Sequence, residues 1–288
     1  MDVPARPATP DTAEGRIGGP PTPSGRRGRV WGGAPVTGRA GAGAAPALQP
    51  GHCHLWWASA DDADPSLHAL LDTRERTRLA ELRHPAARAL YLTAHALARV
   101  AVATQLGLSA HDVTFTVVCK HCGGPHGKPQ PPGPLRLSLS HSGDRVLVAL
   151  AHTTPVGVDV EEIAPYAHDV ATRVLAPQER AVLATLPEAA RPAGFIRYWT
   201  RKEALLKSTG DGLAVAPDLL KVTAPHAPPR LLSWDGPDRP LLPLRLYDLD
   251  AGPGHRAALA AVGAPLRLSV HDGSALLRTT TTERELAP

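Results

Sequence analysis

The sequence predicts an α+β fold built from two halves that meet near residue 155. Two observations predict it. A helical stretch followed by strand-like segments occurs once before that point and once after it. Segregated runs of this kind pack as α+β layers rather than as alternating βαβ units. A chain of 288 residues at 43% hydrophobic composition can also fill one large core or two smaller ones. The doubling rests on element order, because the halves share no obvious internal identity.

Each element has its own signal. Residues 1–50 contain 28 Gly, Ala and Pro, which cannot bury enough apolar surface to offset ordering, so they read as a disordered extension. Ordered patterning begins at His52-Cys53-His54-Leu55-Trp56-Trp57, an aromatic-rich first strand. A first amphipathic helix is expected from Ser66 to about Arg83, and Pro85 opens a second at its N1 position. Leu90, Ala94, Leu97 and Ala101 mark the buried stripe of that second helix, which Gly107 ends. Strands are expected at Val113–Val118, Leu135–Ser140, Arg145–Ala151 and Val156–Glu161. Helical patterning returns over about 169–208, interrupted near Pro187 and Pro192 and stopped by Gly210-Asp211-Gly212. Leu219–Val222, Leu242–Tyr247, Arg256–Val262 and Leu266–Val270 read as the final strands. The predicted division is therefore 1–50, an extension; 51–155 and 156–275, the two halves; and 276–288, a tail.

Charge and cysteines exclude several functions. Six Arg against Asp2, Asp11 and Glu14 give residues 1–50 a charge of +3, which leaves +1 of the total +4 for the other 238 residues. A nearly neutral body argues against a nucleic-acid binder. Three cysteines are too few for a disulfide scaffold and suit a reducing compartment. No apolar run is long enough to span a membrane, and Arg26-Arg27 lacks the apolar segment of an export signal. The expectation is a cytoplasmic protein without membrane or nucleic-acid partners.

The chemistry concentrates in two segments. Gly157-Val158-Asp159-Val160-Glu161 places two carboxylates at i and i+2, on one side of a strand. Carboxylates that close repel unless a cation lies between them, and hard oxygen ligands suit Mg²⁺. Trp199-Thr200-Arg201-Lys202-Glu203-Ala204-Leu205-Leu206-Lys207 reads as helix, with Trp199, Lys202, Glu203, Leu206 and Lys207 on one face. A third carboxylate between two ammonium groups, near a divalent cation, points to phosphate chemistry. The chain has only five lysines, and two of them lie on this helix. The bland alternatives are an edge strand with two solvated acids and an exposed helix with Lys–Glu pairing.

Two further segments carry polar clusters. Gly127-Lys128-Pro129 and Leu137-Ser138-Leu139-Ser140-His141-Ser142-Gly143 gather hydroxyls, an imidazole and turn amides able to cradle an anion; ST-turns at a polar strand end are the alternative. Cys119-Lys120-His121-Cys122 with His126 is half of a zinc site, whose fourth ligand would have to be His121 or Cys53. Its alternative is a loop with two surface thiols.

Taken together and in this order, the motifs resemble those of Sfp-type 4′-phosphopantetheinyl transferases. Gly-Val-Asp-Val-Glu, then Trp-x-x-Lys-Glu-Ala-x-x-Lys, preceded by Gly-Lys-Pro and Leu-Ser-His-Ser, carry the resemblance, which covers roughly residues 52–275. It implies a monomer of two pseudo-symmetric α/β lobes with the active site in the cleft between them. Its reaction would move 4′-phosphopantetheine from coenzyme A to a serine of an apo acyl or peptidyl carrier protein. Asp159 and Glu161 would ligate Mg²⁺ (Mn²⁺ as a substitute) at the pyrophosphate, and Glu203 would be a further ligand or the general base. Lys207 would neutralise the pyrophosphate, and Lys202 would support it or orient Glu203. Ser140 and His141 would meet the 3′-phosphate side of coenzyme A, and Gly127 and Lys128 its adenine end. Arg88 is the first candidate for an early-helix contact to the 3′-phosphate, before Arg76 and Arg83. Ser208 after Lys207, the Pro-rich Gln130–Pro134 and the first 50 residues depart from the family pattern.

Two other readings compete. A metal-dependent phosphodiesterase or nuclease uses similar acids and lysine, but would show nucleic-acid affinity with a steep salt dependence. A non-catalytic coenzyme A- or carrier-binding relic has no reason to keep every metal and lysine position.

Overall fold

The computed structural model describes residues 45–236 and 239–285, the last five by backbone alone. The described chain is mixed α+β, as expected. Most of the predicted extension, residues 1–44, lies outside the described residues. Residues 45–50 correct that prediction: Leu48 is buried in the first core, and its amide donates to Gln105 Oε1 at 2.7 Å.

Two sheets of mainly antiparallel strands form the centre. The first has the order β2-β3-β1-β9, from β1 (His52–Ser59), β2 (Leu135–Ser142), β3 (Arg145–His152) and β9 (Arg267–Asp272). The second has the order β4-β8-β7, from β4 (Val156–Glu162), β7 (Leu244–Leu249) and β8 (His255–Val262). A small ribbon pairs β5 (Leu220–Val222) with β6 (Leu231–Trp234), the latter a strand too short to be signalled in the sequence.

Strand alternation decides what each face meets. On β3, Val146, Val148 and Leu150 pack with helix α2 (Pro85–Leu106), while Leu147, Ala149 and Ala151 face the second sheet. Val156, Val158 and Val160 of β4 and Leu259 of β8 complete that inter-sheet core. Ala258 and Ala260 of β8 turn the other way, towards helix α5 (Arg191–Thr209). The order of layers is thus α2, first sheet, second sheet, α5. On β4 the same alternation sends Gly157, Asp159 and Glu161 to the side of α5.

Four expectations need correction. The helix expected over 66–83 is two pieces, a 3₁₀ turn at Pro65–Leu70 and α1 (Thr73–Glu81). Asp72 causes the break: its carboxylate accepts the Glu75 amide at 2.8 Å, a capping box that restarts the helix. Val113–Val118 is not a strand; Thr116 only forms an isolated bridge with Gln130. The stretch 169–208 is α3 (His168–Val174), α4 (Pro177–Thr185) and then α5. Finally, the boundary at 275 does not follow the sheets. β9 pairs in parallel with β1, and the predicted tail is helix α6 (Gly273–Glu285), which buries Leu277 in the α2 core.

A buried ion network joins α1 to α2. Arg99 donates to Glu75 Oε2 through Nε (2.9 Å) and Nη2 (2.6 Å), and to Asp72 Oδ2 (2.9 Å). His95 Nδ1 lies 2.9 Å from the other Glu75 oxygen. Burial alone would raise the Glu75 carboxyl, but His95, the Asp72 amide and Arg99 outweigh it and hold it at about 2.

Candidate active site

Gly157 fixes how closely α5 approaches β4. A Cβ there would lie 2.1 Å from the Ala204 carbonyl and 2.3 Å from the Ser208 amide. Only hydrogen fits, so the helix can rest on the strand and its last turns reach Asp159. Ser208 is small for the same reason: it is buried at this crossing and donates to Leu205 O at 2.7 Å.

Three serines of β2 then join the two sheets. Ser138, Ser140 and Ser142 alternate onto one face, opposite the apolar Leu135 and Leu137. Ser138 Oγ accepts the Val158 amide at 2.9 Å, and Ser142 Oγ accepts the Glu162 amide at 3.1 Å. Ser140 donates to Asp159 Oδ1 at 2.8 Å, and Ser142 donates to Glu161 Oε2 at 2.6 Å. Trp199 Nε1 supports the other Glu161 oxygen at 3.4 Å. The sequence does not single out Ser138, Ser142 or Trp199 for these roles; hydroxyls at 138, 140 and 142 with period 2 are the signal that carries the serines.

Lys207 completes the centre. Its ammonium donates to Asp159 Oδ1 at 2.6 Å and to Ser140 Oγ at 3.1 Å. Burial disfavours the ammonium, yet the charges of Asp159, Glu203 and Glu161 raise its pKa above the ordinary value. Glu161 shifts upward as well, through burial and the neighbouring Asp159 carboxylate. The charges of the three acids therefore act on one ammonium, which Asp159 contacts directly. Asp159 is 2% exposed, and its Oδ2 has no hydrogen-bond partner. The three carboxylates do not close into a set of oxygens all within 4.8 Å among the described residues.

Other predicted residues lie elsewhere. Lys202 is fully buried and donates to Glu179 Oε2 at 2.5 Å and to Val174 O at 2.8 Å, so its ammonium is a structural link between α5 and α4. Helical geometry explains the miss: five residues at 3.6 per turn set Lys202 and Lys207 about 140° apart, on opposite flanks of one face. Lys128 Nζ donates to Lys207 O at 3.0 Å and to Val156 O, tying the Gly127-Lys128 turn to the end of α5 and the start of β4. Burial, with Arg136 and Lys207 nearby, lowers its pKa to about 7. His141 projects from the opposite face of β2 to Ser140, so these two do not converge. Arg88 caps α1 through Leu79 O at 2.8 Å, and Arg76 donates to Leu71 O at 2.7 Å.

Arg201 has no functional signal in the sequence. It is fully buried and grips Asp248 of β7 with two bonds, of 2.9 and 2.7 Å. It also donates to the Thr223, Ala224 and Ala227 carbonyls. That fork anchors α5 against the second sheet and the loop after β5.

The elements that build this centre are the ones shared with known proteins. A family model described as the 4′-phosphopantetheinyl transferase superfamily matches residues 155–260, from β4 through α5 to β8. The chain is 30% identical over 188 residues to the 4′-phosphopantetheinyl transferase HetI of Nostoc sp. (strain PCC 7120), an alignment covering 62% of this chain and 77% of that protein. The chain belongs to the 4′-phosphopantetheinyl transferase superfamily.

Other relatives agree. A putative 4′-phosphopantetheinyl transferase of Synechocystis sp. (strain PCC 6803), slr0495, is 33% identical over 52% of this chain and 61% of its own length. The 4′-phosphopantetheinyl transferase Sfp of Bacillus subtilis (strain 168) is 26% identical over 57% of this chain and 70% of its own length. This phosphopantetheinyl transferase is therefore an enzyme, and its relatives lend no support to the phosphodiesterase reading. No helix among the described residues is long and apolar enough to cross a membrane.

Proposed function

We propose that this phosphopantetheinyl transferase moves 4′-phosphopantetheine from coenzyme A to the serine of an apo acyl or peptidyl carrier protein, at a divalent-metal site formed by Asp159, Glu161 and Glu203. The observation that carries the reading is Asp159. One of its oxygens is held by Ser140 and Lys207, while the other is buried and without a partner. A buried carboxylate oxygen left unpaired is costly, and a hard cation satisfies it. The upward shift of Glu161, caused by burial and then by Asp159, is a repulsion that a cation would relieve. The donor set is all oxygen, which fits Mg²⁺, with Mn²⁺ able to replace it.

A metal bound there supplies charge neutralisation at the pyrophosphate of coenzyme A. The protein's own groups do the rest. Ser140 and Ser142 fix the orientation of Asp159 and Glu161. Lys207 places a permanent positive charge beside them, suited to the charge that builds on the leaving diphosphate. The carrier serine Oγ forms a bond to the phosphorus bearing pantetheine, and the bond from that phosphorus to adenosine 3′,5′-bisphosphate breaks. The serine proton leaves to a carboxylate, with Glu203 acting as that acceptor or as the third metal ligand.

We read the α2-backed and α5-backed sheets as the two lobes, with coenzyme A entering where β2 meets β4. Lys128 belongs to this reading as a brace for the edge of that entrance. We read the working form as a cytoplasmic monomer; the three free cysteines support a reducing compartment.

The test is release of adenosine 3′,5′-bisphosphate from coenzyme A, followed by chromatography. The reading expects release only when apo carrier and divalent cation are both present. Release without carrier would instead indicate hydrolysis.

A further inference from the structure

A cluster of metal-ligating side chains lies outside the centre just described. We propose that Cys119, Cys122 and His126 bind a zinc ion that clasps the loop carrying Gly127 and Lys128. Their ligand atoms all lie within 4.8 Å of one another, and Cys122 Sγ is 3.0 Å from His126 Nε2. Two thiolates and an imidazole are a soft, tetrahedral-type donor set that selects zinc over the hard cations.

The backbone is already shaped for the ion. The turn closes through Gly123 N to Cys119 O (2.8 Å) and Cys119 N to Gly124 O (2.9 Å). Gly123 has φ of +72°, a conformation glycine adopts without strain. A Cβ on Gly124 would sit 3.2 Å from the His126 ring and 3.4 Å from Cys122 Sγ, so the absent side chain is what allows the imidazole to close.

Polar contacts order the rest of the loop: Lys128 reaches the Lys207 and Val156 carbonyls, and Lys120 pairs with Asp211. Its base is pinned by Thr116 and Gln130, whose amides and carbonyls pair at 3.0 and 2.9 Å. Within it Val118 is 58% exposed and Cys122 is exposed, so no apolar core forms. A metal supplies the order that such a core would otherwise give. Of the two fourth ligands considered from sequence, Cys53 is excluded. It is buried in the inter-sheet core, where burial pushes its thiol pKa up. His121 Nε2 faces Asp211 at 3.5 Å, beside the Lys120–Asp211 ion pair, so the cluster offers three protein ligands and leaves the fourth to water.

The experiment uses the full chain, loaded with Zn²⁺, freed of excess by gel filtration and measured by mass spectrometry of the metal. The proposal expects about one zinc per chain, loss of it in a Cys119→Ser/Cys122→Ser double variant and in His126→Ala, and retention in Asp159→Asn. Circular dichroism checks that each variant stays folded. Replacement by Co²⁺ should give a thiolate-to-cobalt charge-transfer band, weaker in either single cysteine variant and absent in the double. Alkylation of the two thiols should be blocked until a chelator is added. Zinc no higher in the native chain than in the double variant would overturn the proposal. So would thiols released by a reductant alone, the mark of a disulfide.

Discussion

Lys207 Nζ donates to Asp159 Oδ1 at 2.6 Å, a contact between the last turn of α5 and the middle of β4. It exists because Gly157 lets the helix lie on the strand and because Ser140 holds the same oxygen from β2. The ammonium is only partly covered, so its worth lies less in stability than in the charge it presents to an incoming pyrophosphate.

Lys207→Met should therefore keep the fold and lose transfer. Removing one preorganised charge of this kind costs on the order of 10²–10³ in kcat. Steady-state kinetics with a carrier substrate would check it, and a loss confined to KM would contradict the assignment.

Lys202 should behave in the opposite manner. Removing the ammonium from the buried Lys202–Glu179 pair costs about 3–5 kcal/mol, because an uncompensated carboxylate is left behind; a neutral Gln at 179 removes that charge and keeps an acceptor for the Val222 amide. Denaturant unfolding of Lys202→Met and of Lys202→Met/Glu179→Gln reads the difference, the double variant being the more stable. Normal kcat in the folded fraction of the single variant is expected; a selective fall in kcat would return Lys202 to the active site.

Gly157→Ala should be severely destabilising despite adding one methyl. The new carbon would overlap the Ala204 carbonyl at 2.1 Å, a backbone contact that no rotamer change relieves. The loss should exceed the roughly 1–3 kcal/mol typical of overpacking. A variant within about 1 kcal/mol of the parent by chemical denaturation would show that α5 can lift from β4 at little cost.

Acid stability should report the α1–α2 network. Glu75 is held at about 2 in the folded chain against 4.5 when unfolded. The unfolded chain binds the extra proton between those values, so this stability is complete above about 4.5 and is lost as pH falls towards 2. A shift of that size corresponds to about 3 kcal/mol. Glu75→Gln should be less stable at neutral pH and should flatten the slope in that window; an unchanged slope would remove Glu75 as its source.

The positions of these groups were legible from sequence to differing degrees. Alternation placed Asp159 and Glu161 together because period 2 leaves no freedom on a strand. The α5 face was read too broadly, because side chains 140° apart still share a helical stripe on paper while packing against different neighbours. Arg201 and Glu179 were invisible, since a buried charge shows itself only when its partner, distant in sequence, is in place. The strand expected at 113–118 failed because strand-like composition does not supply a neighbour to pair with. The helical end of the chain reads as a tail in sequence because its apolar stretch, Leu276 and Leu277, is short and its burial depends on α2.

A cation held by Asp159 beside Lys207 is the centre of the proposed chemistry. Intact mass spectrometry of an apo carrier protein, incubated with coenzyme A, Mg²⁺ and either the native chain or Asp159→Ala, tests it most directly. The native chain should add one phosphopantetheine unit, lost with EDTA and restored by excess Mg²⁺, and the folded variant should add none. Full modification by folded Asp159→Ala, or by the native chain in EDTA, would contradict it.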